Sequence, residues 1–186
     1  QFRMDALRSV LDAAPAAIWI SYDVACAVIT GNRTADALLR AADGANVSAT
    51  SAGARPARGF REFDPDGRPI PPDRLPLQVA ARDGVEVADA DLSLVFDDGS
   101  VRHMLGNAVP LRDAAGRVRG SVGVFVDVTE RKRAEADLRA SEAFRKSVFE
   151  NSPDCLKIIG LDGRVLEMNE GGCRLMEIDD FGTVRG

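Results

Sequence analysis

Histidine, tryptophan and cysteine are scarce in this sequence of 186 residues, which has one, one and three of them. Cys26, Cys155 and Cys173 are widely spaced and form no C-x-x-C motif, which argues against a zinc site and against a disulfide framework. Reduced thiols are typical of the cytoplasm, so we expect a cytoplasmic protein without a metal.

Long apolar runs and an excess of basic residues are also missing. No stretch of 18 apolar residues is available to cross a bilayer, and no basic segment followed by an apolar one opens the chain. We therefore expect no signal peptide and no membrane contact in this segment. A formal charge of -5 argues against a nucleic-acid partner, which normally requires a basic surface. The first residue is not Met, so we expect a piece of a longer protein.

The hydrophobic pattern predicts an α+β fold, with small elements followed by a meander of long strands. The smaller elements are a helix at 4–14, a hairpin of 16–20 and 26–30, a helix capped by Asn32, a mobile loop at 42–58 and a helix at 73–84 that ends near Gly84.

Three long strands are predicted at 87–96, 101–111 and 117–128, with turns at Asp98-Gly99 and at 113–116. Alternation predicts which side chains share a face in each strand. These are Ala88, Ala90, Leu92, Leu94 and Phe96 in the first, Val101, His103, Leu105, Asn107 and Val109 in the second, and Val118, Val122, Val124, Val126 and Val128 in the third.

The last strand passes without a loop into a charged segment, VFVDVTERKRAEADL, that predicts a helix from Glu130 to about Asn151. Asp127 and Glu130 have the spacing of a capping box, and Thr129 is an alternative cap. Glu130 in the first turn suits the positive end of the helix dipole.

An internal repeat follows this helix. Ser9, Val10, Pro15 and Ile20 match Ser147, Val148, Pro153 and Ile158 at a constant offset, and Asn32 matches Asn169 if one residue is deleted. The order of helix, proline, hairpin and Asn-capped helix recurs. The sequence therefore predicts one whole module, a helical connector and the opening third of a second module.

The stretches FDPDGRPIPPDRLPLQVAARDG, DDGSVRHMLGNAVPLRDAAGRVRGSVGVFVDVTERKRAEADL and FRKSVFENSPDCLKIIGLDGRVLEMN resemble PAS sensory domains of bacterial signalling proteins. The most specific element, DVTERK (127–132), is similar to the join where the last PAS strand enters a signalling helix. The resemblance implies a flanking helix at 1–14, a PAS domain at 15–129, a connector at 130–151 and a truncated second PAS domain at 152–186.

This resemblance also implies a five-stranded antiparallel sheet with small helices on one face around a pocket. It implies a homodimer formed through flanking helices, and a downstream output domain such as a histidine kinase. We expect a ligand- or partner-induced change to pass into the connector helix, with the signal relay carried by Asp127, Thr129, Glu130 and Arg131.

The candidate pocket residues share an expected inward position, and they are equally what a plain core would contain. They are Trp19, Leu38, Phe63, Leu77, Leu92, Leu94, His103, Leu105, Asn107 and Val124. We expect neither haem nor flavin, because the helix at 73–84 has no histidine and no N-C-R-F-like motif is present.

Two alternatives to ligand sensing are open. The first module could be ligand-free and act only in dimerisation. The second alternative is a small-molecule enzyme that uses His103, which has the general-base chemistry required but is equally well explained as a core histidine bonded to its neighbours.

Overall fold

The computed structural model describes residues 2–51, 59–179 and 181, which form two compact units, Gln1–Lys132 and Arg133–Gly186. Among the described residues, no helix combines the length and the apolar character needed to span a bilayer.

The first unit is built on one antiparallel sheet. Its strands are β1 (Ala17–Ser21), β2 (Ile29–Gly31), β3 (Phe60–Phe63), β4 (Val87–Phe96), β5 (Val101–Arg112) and β6 (Val118–Asp127). Their order is β2-β1-β6-β5-β4-β3. The α+β prediction is confirmed, but the sheet has six strands rather than five. The additional strand, β3, pairs with β4 at the edge, where Phe60 lies opposite Phe96.

Three helices precede the long strands. They are α1 (Phe2–Ala13), α2 (Arg33–Leu39) and α3 (Pro76–Asp83), and a 3₁₀ turn at Pro72–Arg74 leads into α3. The Asn32 side chain caps α2 as predicted. Gly84 ends α3 with φ +67°, a left-handed conformation that glycine adopts without a steric penalty.

The predicted inward faces of β5 and β6 are wrong. On β5 the core-facing residues are Met104 and Ala108, and on β6 they are Ser121, Gly123 and Phe125. His103, Leu105, Asn107 and Val109 therefore lie on the outer face of the sheet, as do Val122, Val124 and Val126.

Close packing of α3 against the sheet explains this inversion. A Cβ atom at Gly123 would lie only 2.6 Å from Leu77 Cδ1, so the strand must present small residues to the helix. Gly123 pairs with Ala108 of β5, which is completely buried. The larger valines of β6 are left on the outer face, where a count of apolar residues would not place them.

The segment after α2 is irregular as predicted, but its first part is firmly held. Val47, Ser48 and Ala49 are buried, and the Asn46 side chain accepts a hydrogen bond from Ile29 N at 2.9 Å. The prediction of a mobile loop at 42–58 therefore fails for its described part, and residues 52–58 lie outside the described residues.

Cys26 was predicted to lie in a strand but lies in the loop between β1 and β2, buried, with φ +50°. Burial raises the pKa of the Cys26 thiol.

Ala88 was predicted to face the core but is exposed. The β4–β5 register shifts between Val87 and Ala90, where Asp89 has φ +51°.

The connector helix, α4 (Thr129–Asn151), has 23 residues and confirms the predicted helix. In the second unit it is followed by β7 (Lys157–Ile159), β8 (Val165–Met168) and α5 (Glu170–Leu175). β7 and β8 form the predicted antiparallel hairpin. The hairpin and the helix after it leave apolar side chains exposed, among them Ile159, Leu161 and Leu175.

Candidate functional site: the cavity and the strand–helix joint

A cavity lies between the inner face of the sheet and the helices of the first unit. Its empty volume is about 530 Å³, counting the part that opens to solvent. The wall is mainly apolar, as is typical of pockets for organic ligands.

Four predicted pocket residues lie in the cavity wall, namely Trp19, Leu77, Leu92 and Leu94. Leu38 packs against the core, but its neighbour Leu39 lines the cavity instead. Phe63 does not line the cavity, whereas Phe60 of the same strand does.

Four other predicted pocket residues lie on the outer face of the sheet, away from the cavity. They are His103, Leu105, Asn107 and Val124. His103 Nδ1 and Ser93 Oγ are 2.9 Å apart, and Asn107 Oδ1 accepts a hydrogen bond from Asp89 N at 2.8 Å. The His103 and Asn107 side chains therefore bond to β4, and all four residues lie outside the cavity wall.

The sequence reading missed much of the cavity wall. Met104 and Phe125 follow directly from the correct strand phase, whereas Ile29, Val47 and Ala49 come from segments predicted to be a strand end and a loop. Phe60 and Glu62 are two residues apart and face inward, so alternation could have predicted them. The strand has only four residues, however, which is too short for a clear pattern.

Polar groups in the wall are few. Among the described lining residues, Gln78 has an uncharged polar side chain and Glu62 is the one with an ionisable group. The Trp19 indole nitrogen is buried without a hydrogen-bond partner. In the described part of the chain, no cluster of three or more His, Cys, Asp or Glu side chains is placed to hold a metal ion.

A second set of contacts joins β5 and β6 to α4, and we call Arg102, His103, Asp127, Val128 and Thr129 the strand–helix joint. Both backbone groups of His103 are engaged here. His103 N donates to Thr129 Oγ1 at 2.8 Å, and Val128 N donates to His103 O at 2.8 Å. Val128 and Thr129 are buried, so these bonds are shielded from water.

Asp127 is the acceptor at the start of α4. Its Oδ1 accepts from Thr129 N at 2.9 Å and also from the Thr129 hydroxyl. Arg102 Nη1 donates to Asp127 Oδ2 at 2.7 Å. Burial alone would raise the pKa of Asp127, but the hydrogen bonds from Thr129 and Arg102 outweigh it and hold the pKa below its ordinary value. Asp127 thus accepts from the first residue of α4, whereas the Thr129 hydroxyl contacts Asp127 and His103.

The other two predicted relay residues, Glu130 and Arg131, are exposed on the first turn of α4. Their neighbour Lys132 was missed. Its Nζ contacts both carboxylate oxygens of Asp91 at 2.8 Å, and both side chains are about one third exposed. The signal was an acid on the outer face of β4, a residue type often paired with a base.

The cavity wall and the anchors of α4 occupy adjacent positions on two strands. On β5, Met104 lines the cavity and His103 binds Val128 and Thr129. On β4, Leu92 lines the cavity and Asp91 binds Lys132. Because successive side chains of a strand point to opposite faces, one backbone segment contacts the cavity and holds the helix.

Two buried asparagines have matching roles in the two units, and we call each one an asparagine hub. Asn32 Oδ1 accepts from Ile18 N and Ala35 N, both at 3.0 Å. Its Nδ2 donates to Leu11 O at 2.6 Å and to Ala16 O at 3.0 Å. The hub thereby ties the end of α1 to β1 and α2.

Asn169 repeats this arrangement in the second unit. Its Oδ1 accepts from Leu156 N and Gly172 N, both at 2.9 Å. Its Nδ2 donates to Phe149 O at 2.9 Å, at the end of α4, and also to Ser152 O and Asp154 O. The contacts of Asn169 thus match those of Asn32 at four of five partners, which supports the predicted internal repeat.

The outer face of the sheet has an apolar part on β1, β5 and β6. Val124 and Val126 are each 44% exposed, and Val109 is 36% exposed. Ile18 and Ile20 of β1 pair directly with Val124 and Val122, which extends this face across three strands.

Comparison with known proteins identifies the fold. Residues 43–133 match the family model described as the PAS fold. A segment of 57 residues is 32% identical to sporulation kinase E of Bacillus subtilis, covering 31% of this chain and 8% of that kinase. The matched segment is thus a small part of the kinase's length.

Solved structures with a similar fold include the PAS domain of a protein from Colwellia psychrerythraea, which is 14% identical, with a TM-score of 0.45 over 69% of this chain and 98% of that one. The PAS domain of Bordetella pertussis BvgS is 15% identical, with a TM-score of 0.41 over 76% and 98%. A sensory box histidine kinase/response regulator from Burkholderia thailandensis is 20% identical, with a TM-score of 0.42 over 77% and 98%.

Proposed function

Because this chain contains a PAS domain of a signalling protein, we propose that it senses a ligand or partner and relays the change through α4 to an output domain downstream. The observation that carries the proposal is that, on both β4 and β5, a residue that lines the cavity lies next to a residue that binds the start of α4. A ligand that displaces Met104 or Leu92 also displaces His103 or Asp91, because each pair shares a peptide unit.

The strand–helix joint makes this displacement effective. Three hydrogen bonds of 2.8–2.9 Å link His103 and Asp127 to residues 128 and 129, where α4 begins. There is no intervening loop to absorb a movement of the strand. The start of α4 therefore follows the strand, and the helix transmits the change.

Replacement of Thr129 tests the relay in the full-length protein. Thr129→Val keeps the shape of the side chain but removes the acceptor for His103 N, whereas Thr129→Ser keeps the hydroxyl and is the matched control. We expect Thr129→Val to change the basal output activity and to increase amide hydrogen exchange in the first turns of α4. Equal output and exchange in both variants would refute the relay.

Homodimerisation is part of the proposal, and exposed apolar surface supports it. The outer sheet face presents Val124 and Val126, and the exposed side of α4 carries Leu138 and Phe144. Such surfaces are typical of protein interfaces. Val124→Glu should shift sedimentation from dimer to monomer, and the exposed Val85→Glu on the loop before β4 should not.

The kinase match favours a histidine kinase as the output domain, and the absence of disulfides among the three cysteines favours a cytoplasmic location. The dimer-only alternative draws on the same exposed valines and predicts that no small molecule enters the cavity. The enzyme alternative is weaker, because His103 lies on the sheet face opposite the cavity.

A further inference from the structure

We infer that the cavity selects an uncharged, mainly apolar small molecule that presents a hydrogen-bonding group to the Gln78 amide. The inference rests on the proposed sensory function and adds the chemical class of the ligand. It is carried by the number and type of the polar side chains in the cavity wall.

Gln78 is the central observation. It lies in the first turns of α3, is 6% exposed and lines the cavity. An amide in a mainly apolar wall gains free energy from a hydrogen-bond partner in the cavity, and this amide both donates and accepts. A ligand with a carboxamide, lactam or hydroxyl group would satisfy it.

The charge of the wall excludes anionic ligands. Among the described lining residues there is no Lys, Arg or His, and the ionisable side chain is that of Glu62. A ligand carboxylate would lose its hydration and meet a like charge. Glu62 already has an interaction of its own, so it does not require a cationic ligand.

Water gains few hydrogen bonds along most of this wall. A buried water needs two to four polar partners, and the apolar side chains that make up most of this wall offer none. Organic ligands, in contrast, gain free energy from contact with Trp19, Leu92 and Phe125. The wall thus fits an apolar body with one polar edge.

Three probes of one shape test the inference: p-xylene, 4-methylbenzamide and 4-methylbenzoate. They share a methyl-substituted ring and differ in a methyl, carboxamide or carboxylate group. Trp19 is the one tryptophan of the chain and lies in the wall, so its fluorescence reports binding at this site. We expect 4-methylbenzamide to bind at least about tenfold more tightly than 4-methylbenzoate.

Gln78→Leu separates the amide contact from simple apolar filling. This variant should weaken binding of 4-methylbenzamide about three- to tenfold and leave p-xylene binding equal or tighter. If the variant does not fold, the comparison of 4-methylbenzamide with 4-methylbenzoate on the unmodified protein decides the matter.

Equal binding of benzoate and benzamide, no binding of any probe at millimolar concentration, or unchanged benzamide affinity in Gln78→Leu would each overturn the inference. None of these results bears on the effect of Thr129→Val on output. If the probes fail but Thr129→Val changes the output, the relay stands and is driven by a partner. If the probes bind as expected but Thr129→Val has no effect, the cavity is a ligand site without the relay.

Discussion

Asn32→Asp is the sharpest test of the asparagine hubs. The new carboxylate keeps the acceptor for Ile18 N and Ala35 N, but it replaces the Nδ2 donor with an oxygen that faces two carbonyl groups, Leu11 O and Ala16 O. The Asn32 side chain is only 6% exposed. The substitution removes its two donated hydrogen bonds and leaves the two carbonyl groups without this partner. At about 1 kcal/mol for each bond, plus the cost of the unpaired groups and of the buried charge, the free energy of unfolding should fall by about 3–5 kcal/mol at neutral pH.

The pH dependence provides a second readout. Burial beside two carbonyls raises the pKa of the new carboxyl, so its protonated form is favoured in the folded state. The loss of stability should therefore shrink as the pH falls through this raised pKa, because a protonated carboxyl donates one hydrogen bond.

Urea unfolding followed by Trp19 fluorescence measures both effects, and Asn107→Asp is the matched control. Asn107 is exposed, and its described hydrogen bond uses only the acceptor oxygen, which Asp retains. We expect a change within about 0.5 kcal/mol for this control. Equal losses in the two variants would show that the hub does not hold α1 to the module.

Three further predictions concern single contacts. Asp36 is buried with Oδ1 unpartnered, and burial raises its pKa, so its ionised form lowers stability as the pH rises above the ordinary Asp range. Asp36→Asn should therefore raise the melting temperature at pH 7 but not at pH 4, and an unchanged pH profile would contradict this. Gly123→Ala places a Cβ 2.6 Å from Leu77 Cδ1 and should cost about 1–3 kcal/mol in chemical unfolding, unless α3 moves freely. Lys132→Met removes the partly buried ion pair with Asp91 and should cost about 1 kcal/mol, with faster hydrogen exchange in the first turn of α4; unaltered exchange would remove Asp91 from the anchors.

The sequence predicted the elements better than the faces of the strands. The Asn32 cap and the end of α3 at Gly84 depend on local chemistry that a single residue supplies, and both are confirmed. The face of β6 depends on how closely α3 approaches, which is a property of the packed fold. There Gly123 lies inside and Val124 outside, opposite to their hydrophobicity.

The cavity wall shows the same division. Trp19, Leu77, Leu92 and Leu94 lie in the cavity wall, and their strands and helix have one clearly apolar face. Met104 could be placed only after the phase of β5 was known. Residues 47 and 49 come from a segment whose small side chains suggest a loop. The Asn46 side chain accepts a hydrogen bond from Ile29 N and the Ser48 hydroxyl donates one to Cys26 O, and these bonds hold the segment.

The length of α4 is fixed at both ends, since its first residues bind His103 and Asp127 and the carbonyl of Phe149 binds Asn169. An α-helix turns by about 100° for each residue. Adding two residues to α4 would rotate everything after it by about 200°, whereas adding seven would restore almost the same orientation. The helical phase between Thr129 and Phe149 is therefore kept only when residues are added in steps of nearly whole turns.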